Sequence, residues 1–174
     1  MSSIVLSGDT SGTVTVAVPA VAGTNTVTIA AQTGTLNAAG PTFSAYQSTL
    51  QSVPNATFTK VLFQTELWDT NNNFASSTFT PTVAGYYQIN GAVQFAGVIA
   101  GIQVLAIYKN NSAFVRGPLL STGTSYGSAV SGLVYANGTT DYFELFAYQG
   151  GGVASNTDPT SATSWFQAAL VRGA

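Results

Sequence analysis

The sequence predicts an all-β protein, a sandwich or jelly roll, with a β-rich arm at its N-terminal end. Three observations predict it. Short runs of alternating apolar and polar residues recur along the chain, separated roughly every 8–12 residues by Gly, Asn or Pro turn signals. No segment shows the i, i+3, i+4 spacing of an amphipathic helix. Residues 1–40 hold no aromatic side chain, whereas the remainder holds all 8 Tyr, 10 Phe and 2 Trp. That shift places a boundary near residue 40, between an arm (1–40) and a head (41–174).

In the arm, Thr13–Val18 alternates with Val14, Val16 and Val18 on one side, and Thr26–Ala31 alternates with Val27 and Ile29. Pro19, Gly23 and Asn25 separate the two runs, which reads as strand, turn, strand. Two such strands cannot bury enough surface to stand alone. The arm is therefore expected to lie on another subunit or another protein, or to intertwine with its own copies. Gly34 to Pro41 reads as a hinge.

The head begins with a strand at Thr42–Gln47. The stretch Lys60–Phe95 then organises the rest. A strand over Thr57–Thr65 leads into the polar loop Asp69–Asn73, followed by a short strand around Phe79 and a long one over Ala84–Ala96. In that last strand Tyr87, Ile89, Val93 and Phe95 share one face, and Gln88, Asn90 and Gln94 the other. Ile102–Tyr108 is apolar on both faces, as in a strand covered on both sides. Asn110-Asn111 is a hairpin turn into Ala113–Leu119, because Asn tolerates the left-handed conformation of tight turns. Ser128–Ala136 runs into Asn137-Gly138, the strongest short hairpin signal in the chain, which predicts pairing with Asp141–Gln149. Gly150–Gly152 and Asn156–Pro159 form a loop, and Ser164–Val171 closes the head.

Composition excludes several functions. Charged residues are 6% of the chain, and Lys60, Lys109, Arg116 and Arg172 are the only basic ones. Four cations make no basic stripe, so nucleic acid is not an expected partner. No apolar run reaches the ~18–20 residues of a membrane span. The first residues lack the charged and apolar regions of a secretory signal. Without cysteine there is no disulfide framework. A surface so poor in charge is poorly solvated, which predicts extensive burial between subunits.

The order of the head's motifs resembles the globular head of complement component 1q, of the tumour-necrosis-factor-like jelly-roll superfamily. The resemblance covers about residues 42–172. It rests on Phe43-Ser44-Ala45, Leu62-Phe63-Gln64, Asn73-Phe74, Phe79-Thr80, Gly85-Tyr86-Tyr87 and Leu105–Asn110, then on Leu133, Tyr135, Gly138, Asp141-Tyr142 and the closing Phe166–Val171. Ala168 departs from the pattern, standing where the family usually has Gly. No Gly-X-Y run precedes the head, so no collagen stalk is expected. Residues 11–36 (SGTVTVAVPAVAGTNTVTIAAQTGTL) instead resemble linker segments of tail-fibre and other virion proteins of tailed bacteriophages.

The resemblance implies a homotrimer packed about a threefold axis through apolar and aromatic faces. Candidates for the axis are Tyr86, Tyr87, Ile89, Phe143, Leu145, Trp165 and Phe166, against the plainer reading of each as core. Some relatives hold calcium at the trimer apex. Here Asp69, Asn71, Asn72 and Asn73 lack the Gly and distal Glu of a calcium loop and read as a solvated turn, so no metal or cofactor is expected. The carboxylates Glu66, Asp69, Asp141 and Glu144 are the only candidates for acid–base work. Nothing indicates the cleft that paired catalytic carboxylates need, and no His or Cys is present. Glu144 is expected to pair with Arg116, Lys60 or Arg172. No catalytic residue is assigned. Trp68, Tyr126 and Tyr148, read as loop aromatics, are the candidates for stacking on a sugar or partner, with half-buried core as the alternative.

The expected protein is therefore a trimeric phage structural protein on the particle surface, anchored to other virion proteins by its arm (Val14, Val16, Val18, Val27 and Ile29). Capsid decoration, or cement, is the leading role. The alternatives are a fibre adhesin whose head binds a host-surface glycan or protein, and a soluble lectin-like module. The start at Met1 and the lack of a long shaft favour decoration.

Overall fold

The computed structural model describes residues 3–7, 13–17, 40–120 and 127–174, and no helix occurs among them. The chain divides into two compact units, Met1–Gly34 and Thr35–Ala174.

In the first unit β1 (Ser3–Ser7) pairs antiparallel with β2 (Thr13–Ala17), setting Ile4 opposite Val16 and Leu6 opposite Val14. The run containing Val14 and Val16 is thus a strand. Its described partner is Ser3–Ser7, whose Ile4-Val5-Leu6 core the turn-based reading passed over. Val18, Val27 and Ile29 lie outside the described residues.

The second unit contains β3 (Thr42–Tyr46), β4 (Ser52–Val53), β5 (Thr59–Lys60), β6 (Thr65–Asp69), β7 (Phe74–Ala75), β8 (Thr78–Phe79) and β9 (Gly85–Gln94). These are followed by β10 (Gln103–Lys109), β11 (Ser112–Arg116), β12 (Gly127–Ala136), β13 (Phe143–Gln149), β14 (Ser155–Asn156) and β15 (Trp165–Gly173). One sheet runs β11-β10-β13-β8-β7, with β5 also on β13; the other runs β12-β9-β15-β3-β6. β4 and β14 form a small separate pair. The chain crosses repeatedly from sheet to sheet, which makes this a two-sheet jelly roll.

The alternation of β9 is as expected: Tyr87, Ile89 and Val93 are buried, and so is Phe95 just beyond the strand. In β10, Val104 to Ile107 are all buried. Asn110 and Asn111 both sit at positive φ (51° and 66°), and Lys109 pairs with Ser112 across them, as in a two-residue hairpin. Pro41, read as the end of a hinge, is buried, and its carbonyl accepts the Leu170 N–H at 3.0 Å. The head therefore begins slightly earlier than its aromatics indicate. Ala168 is tolerated: it pairs with Phe43 and Ile89 in an unbroken stretch of both ladders.

Two strand readings are corrected. Thr57–Thr65 is not one strand. After β5 the backbone amides leave the ladder: Leu62 N–H goes to Gln51 Oε1 and Phe63 N–H to Ser77 Oγ, and pairing resumes only at Thr65. Asn137-Gly138 does not join a hairpin either. β12 pairs with β9, while β13 pairs with β10, so this turn crosses from one sheet to the other. Its geometry is real: Gly138 has φ 73°, and Asn137 Oδ1 accepts the N–H groups of Thr139, Thr140 and Asp141. Side-chain capping here serves a crossing as readily as a hairpin.

The core fills the space between the sheets. Phe43 stacks on Phe74 at 4.4 Å and meets Phe79 and Phe166 at 4.7 and 5.2 Å. Leu105, Ile107, Phe143 and Leu145 come from the other sheet. Tyr87 is fully buried; its hydroxyl donates to the Val83 carbonyl at 2.7 Å, and burial pushes its pKa up to about 12.

An ionic staple ties one end of the sandwich together. Lys109 Nζ contacts Asp141 Oδ2 at 2.8 Å and donates to the Tyr135 carbonyl on the other sheet. Burial alone would raise the Asp141 pKa, but the Lys109 ammonium, the Asn110 amide and the Asn137 N–H outweigh it and hold it below its ordinary 3.8. A carboxyl depressed on folding contributes stability at pH values above its unfolded pKa and loses it as pH falls through the folded one. Asp141→Asn is expected to cost about 2 kcal/mol at pH 7, because Lys109 loses its counter-charge in a largely enclosed place. Denaturant titrations from pH 7 to 2 should also show a flatter acid limb in the variant than in the parent.

Candidate functional site

The two outer faces of the sandwich differ in kind. On the six-stranded sheet the chain covers much of its own surface, though Phe114 on the edge strand β11 is 55% exposed. Tyr108 stacks on Phe146 at 3.9 Å, Phe58 packs against Tyr108 and Tyr148 at 6.0 and 5.1 Å, and the Arg116 guanidinium lies 5.1 Å over the Phe58 ring. Lys60 pairs with Glu144 at 2.7 Å, and Thr78 also donates to that carboxylate. Every charged side chain on the strands of this sheet therefore has a partner within the chain.

The outer face of the five-stranded sheet is open. Alternation along β9, β12 and β15 turns Tyr86, Leu133, Tyr135 and Val171 outward, and they are 43%, 59%, 42% and 58% exposed. Tyr86 pairs with Tyr135 in register, their rings 5.5 Å apart. With Arg172 these residues line a hollow of about 540 Å³. Beyond them lies an uncharged polar belt: Gln88 Nε2 donates to Ser131 Oγ and Asn90 Oδ1, and Ser131 Oγ donates to Asn90 Oδ1. β9, β12 and β15 together carry one charged residue, Arg172. An apolar rim beside a self-satisfied neutral belt is suited to burial against protein: it exposes apolar area, yet little desolvation of charge opposes its covering.

Most of the residues that the sequence nominates for a threefold axis lie in the core of the single chain. Tyr87, Ile89, Phe143, Leu145 and Phe166 are wholly buried inside the single chain and have no surface to offer a second copy. Tyr86 faces outward and Trp165 is half-buried. Leu133, Tyr135 and Val171, which are not among those candidates, share the open face with Tyr86. A signal was present: Leu133-Val134-Tyr135-Ala136 is apolar on both faces, the pattern that marks Ile102–Tyr108 as covered on both sides.

The loop aromatics are also corrected. Trp68 lies on β6, 48% exposed, with its indole N–H donating to Thr42 Oγ1. Tyr148 lies on β13, half-buried against Phe58. Tyr126 is outside the described residues. The Asn-rich loop is held by Asp69, whose two carboxylate oxygens accept the N–H groups of Asn71 and Phe74, so they serve the turn. Among the described residues no three His, Cys, Asp or Glu are grouped to hold a metal ion. The glycine loop is pinned by the fully buried Gln149, which donates to the carbonyls of Val53 and Val153 and accepts the Gly151 N–H.

No protein-family model matches the chain, and no curated protein matches it. Solved structures do. The globular domain of zebrafish complement 1qA is 17% identical with a TM-score of 0.55, over 77% of this chain and 99% of that one. The Eiger tumour necrosis factor of S. frugiperda is 9% identical with a TM-score of 0.60, over 78% and 96%. The PRD1 vertex protein P5 is 17% identical with a TM-score of 0.56, over 76% and 98%. At these identities the likeness is one of fold: an all-β jelly roll of the complement and tumour-necrosis-factor kind.

Proposed function

We propose that this chain is a homotrimeric structural protein of a phage particle, displayed on the particle surface and anchored by its N-terminal β arm. One observation carries the assembly. The five-stranded sheet leaves Tyr86, Leu133, Tyr135 and Val171 uncovered, while on the opposite face Phe58, Tyr108, Phe146 and Tyr148 pack on one another. Association in threes follows the resemblance of the head's motifs to complement and tumour-necrosis-factor heads. The particle setting is supported by the fold likeness to a phage vertex protein and by the fibre-like composition of residues 11–36. The role is binding and structural, not catalytic.

Decoration of a shell is the favoured role. The β1–β2 hairpin folds residues 3–17 back on themselves, and the roughly 23 residues between it and the head span up to roughly 75 Å if extended, enough to carry the hairpin onto a neighbouring shell subunit. Removal of residues 1–36 tests this. The expected result is soluble trimeric heads together with undecorated, fragile shells. Intact particles that no longer adsorb to cells would replace decoration with a fibre role. A full-length chain that light scattering shows as a stable monomer at micromolar concentration would remove the trimer.

A further inference from the structure

The five-stranded sheet carries three charged residues, Glu66, Asp69 and Arg172. Asp69 is consumed by two backbone amides. Glu66 and Arg172 are exposed, and neither has an ion-pair or hydrogen-bond partner among the described residues. They mark two different apolar patches. Arg172 borders the hollow of Tyr86, Leu133, Tyr135 and Val171, formed where β12, β9 and β15 run side by side. Glu66 sits on β6, the opposite edge strand, beside Leu67 and Trp68, which are 56% and 48% exposed.

We infer that the hollow receives the β6 edge of a second copy, with Leu67 entering the apolar site and Glu66 meeting Arg172. This rests on the trimeric reading above and specifies its contact. A two-fold contact of either patch with itself would set Arg172 near Arg172, or Glu66 near Glu66, and like charges across an interface are penalised. A head-to-tail contact matches apolar to apolar and cation to anion, and a contact between unlike patches closes into a ring when the rotation allows. In a sheet so poor in charge, this pair fixes register and orientation more than it adds affinity.

Charge reversal in the full-length protein tests the contact. Arg172→Glu and Glu66→Arg are each expected to weaken self-association at least tenfold, measured by sedimentation equilibrium. The double reversal is expected to return it to near the parental value. All variants should keep the parental circular dichroism, since both side chains are exposed, and at concentrations where the parent too is dissociated they should melt with it. A trimeric parent whose single reversals associate normally, or whose double reversal stays as weak as the singles, overturns the pairing and leaves the trimer standing. A monomeric parent overturns both.

Discussion

Phe43→Ala should destabilise the head by about 3–5 kcal/mol, the range for deleting a fully buried phenyl ring. Phe43 is 0% exposed on the inner face of β3. Its ring lies within 5.2 Å, centroid to centroid, of Phe74, Phe79 and Phe166, which come from β7, β8 and β15 and hence from both sheets. Those neighbours stand on strands fixed by their own ladders, so the space cannot close without distorting a sheet, and the cavity cost adds to the lost transfer energy. Domains of this size are stable by only about 5–15 kcal/mol. Guanidinium titration of the variant should therefore show a midpoint lowered by roughly a fifth or more, with an unchanged slope. A loss below 1 kcal/mol would mean that the aromatic cluster does not hold the two sheets together.

The fold was legible in the sequence because the signals that define it are local. The alternation in Tyr87–Phe95, the double-sided apolarity of Val104–Ile107 and the Asn110-Asn111 turn each specify a strand or a hairpin from a few adjacent residues. Pairing is not local. Asn137-Gly138 adopts the turn its residues favour, yet the strands on either side go to different sheets. Nothing in the dipeptide tells a hairpin from a crossing.

The open face was less legible, for a reason of parity. Tyr86 and Tyr87 are chemically alike, and alternation puts them on opposite faces. Only the position of the second sheet decides which is core. Of the axis candidates, Tyr87, Ile89, Phe143, Leu145 and Phe166 fill the centre of the sandwich and are fully buried. The outer face carries Leu133 and Val171 together with Tyr86 and Tyr135, so size does not separate the two faces. Total exclusion of charge from β9, β12 and β3 was the better guide, since a solvated face would carry some.

Leu133→Asp should convert the proposed trimer to monomers without unfolding the head. Leu133 is 59% exposed on the outer face of β12, beside Tyr135 and across from Gln88, so in an isolated chain the carboxylate stays in water at little cost. In a ring of three the same change falls at three equivalent contacts. Each loses the burial of a leucine, about 2 kcal/mol, and each must also enclose or exclude a charge that has no cation opposite it. The sum of about 6 kcal/mol from burial alone corresponds to a roughly ten-thousand-fold rise in the dissociation constant. Sedimentation velocity at micromolar concentration should show a single monomeric boundary, with thermal unfolding of the head close to that of a dissociated parent. Ala129→Asp, further along the same face of β12, should act in the same direction but less strongly, because the alanine it replaces buries less apolar area. If Leu133→Asp remains trimeric, the copies meet through another surface, and the open face of the five-stranded sheet is kept for a different protein.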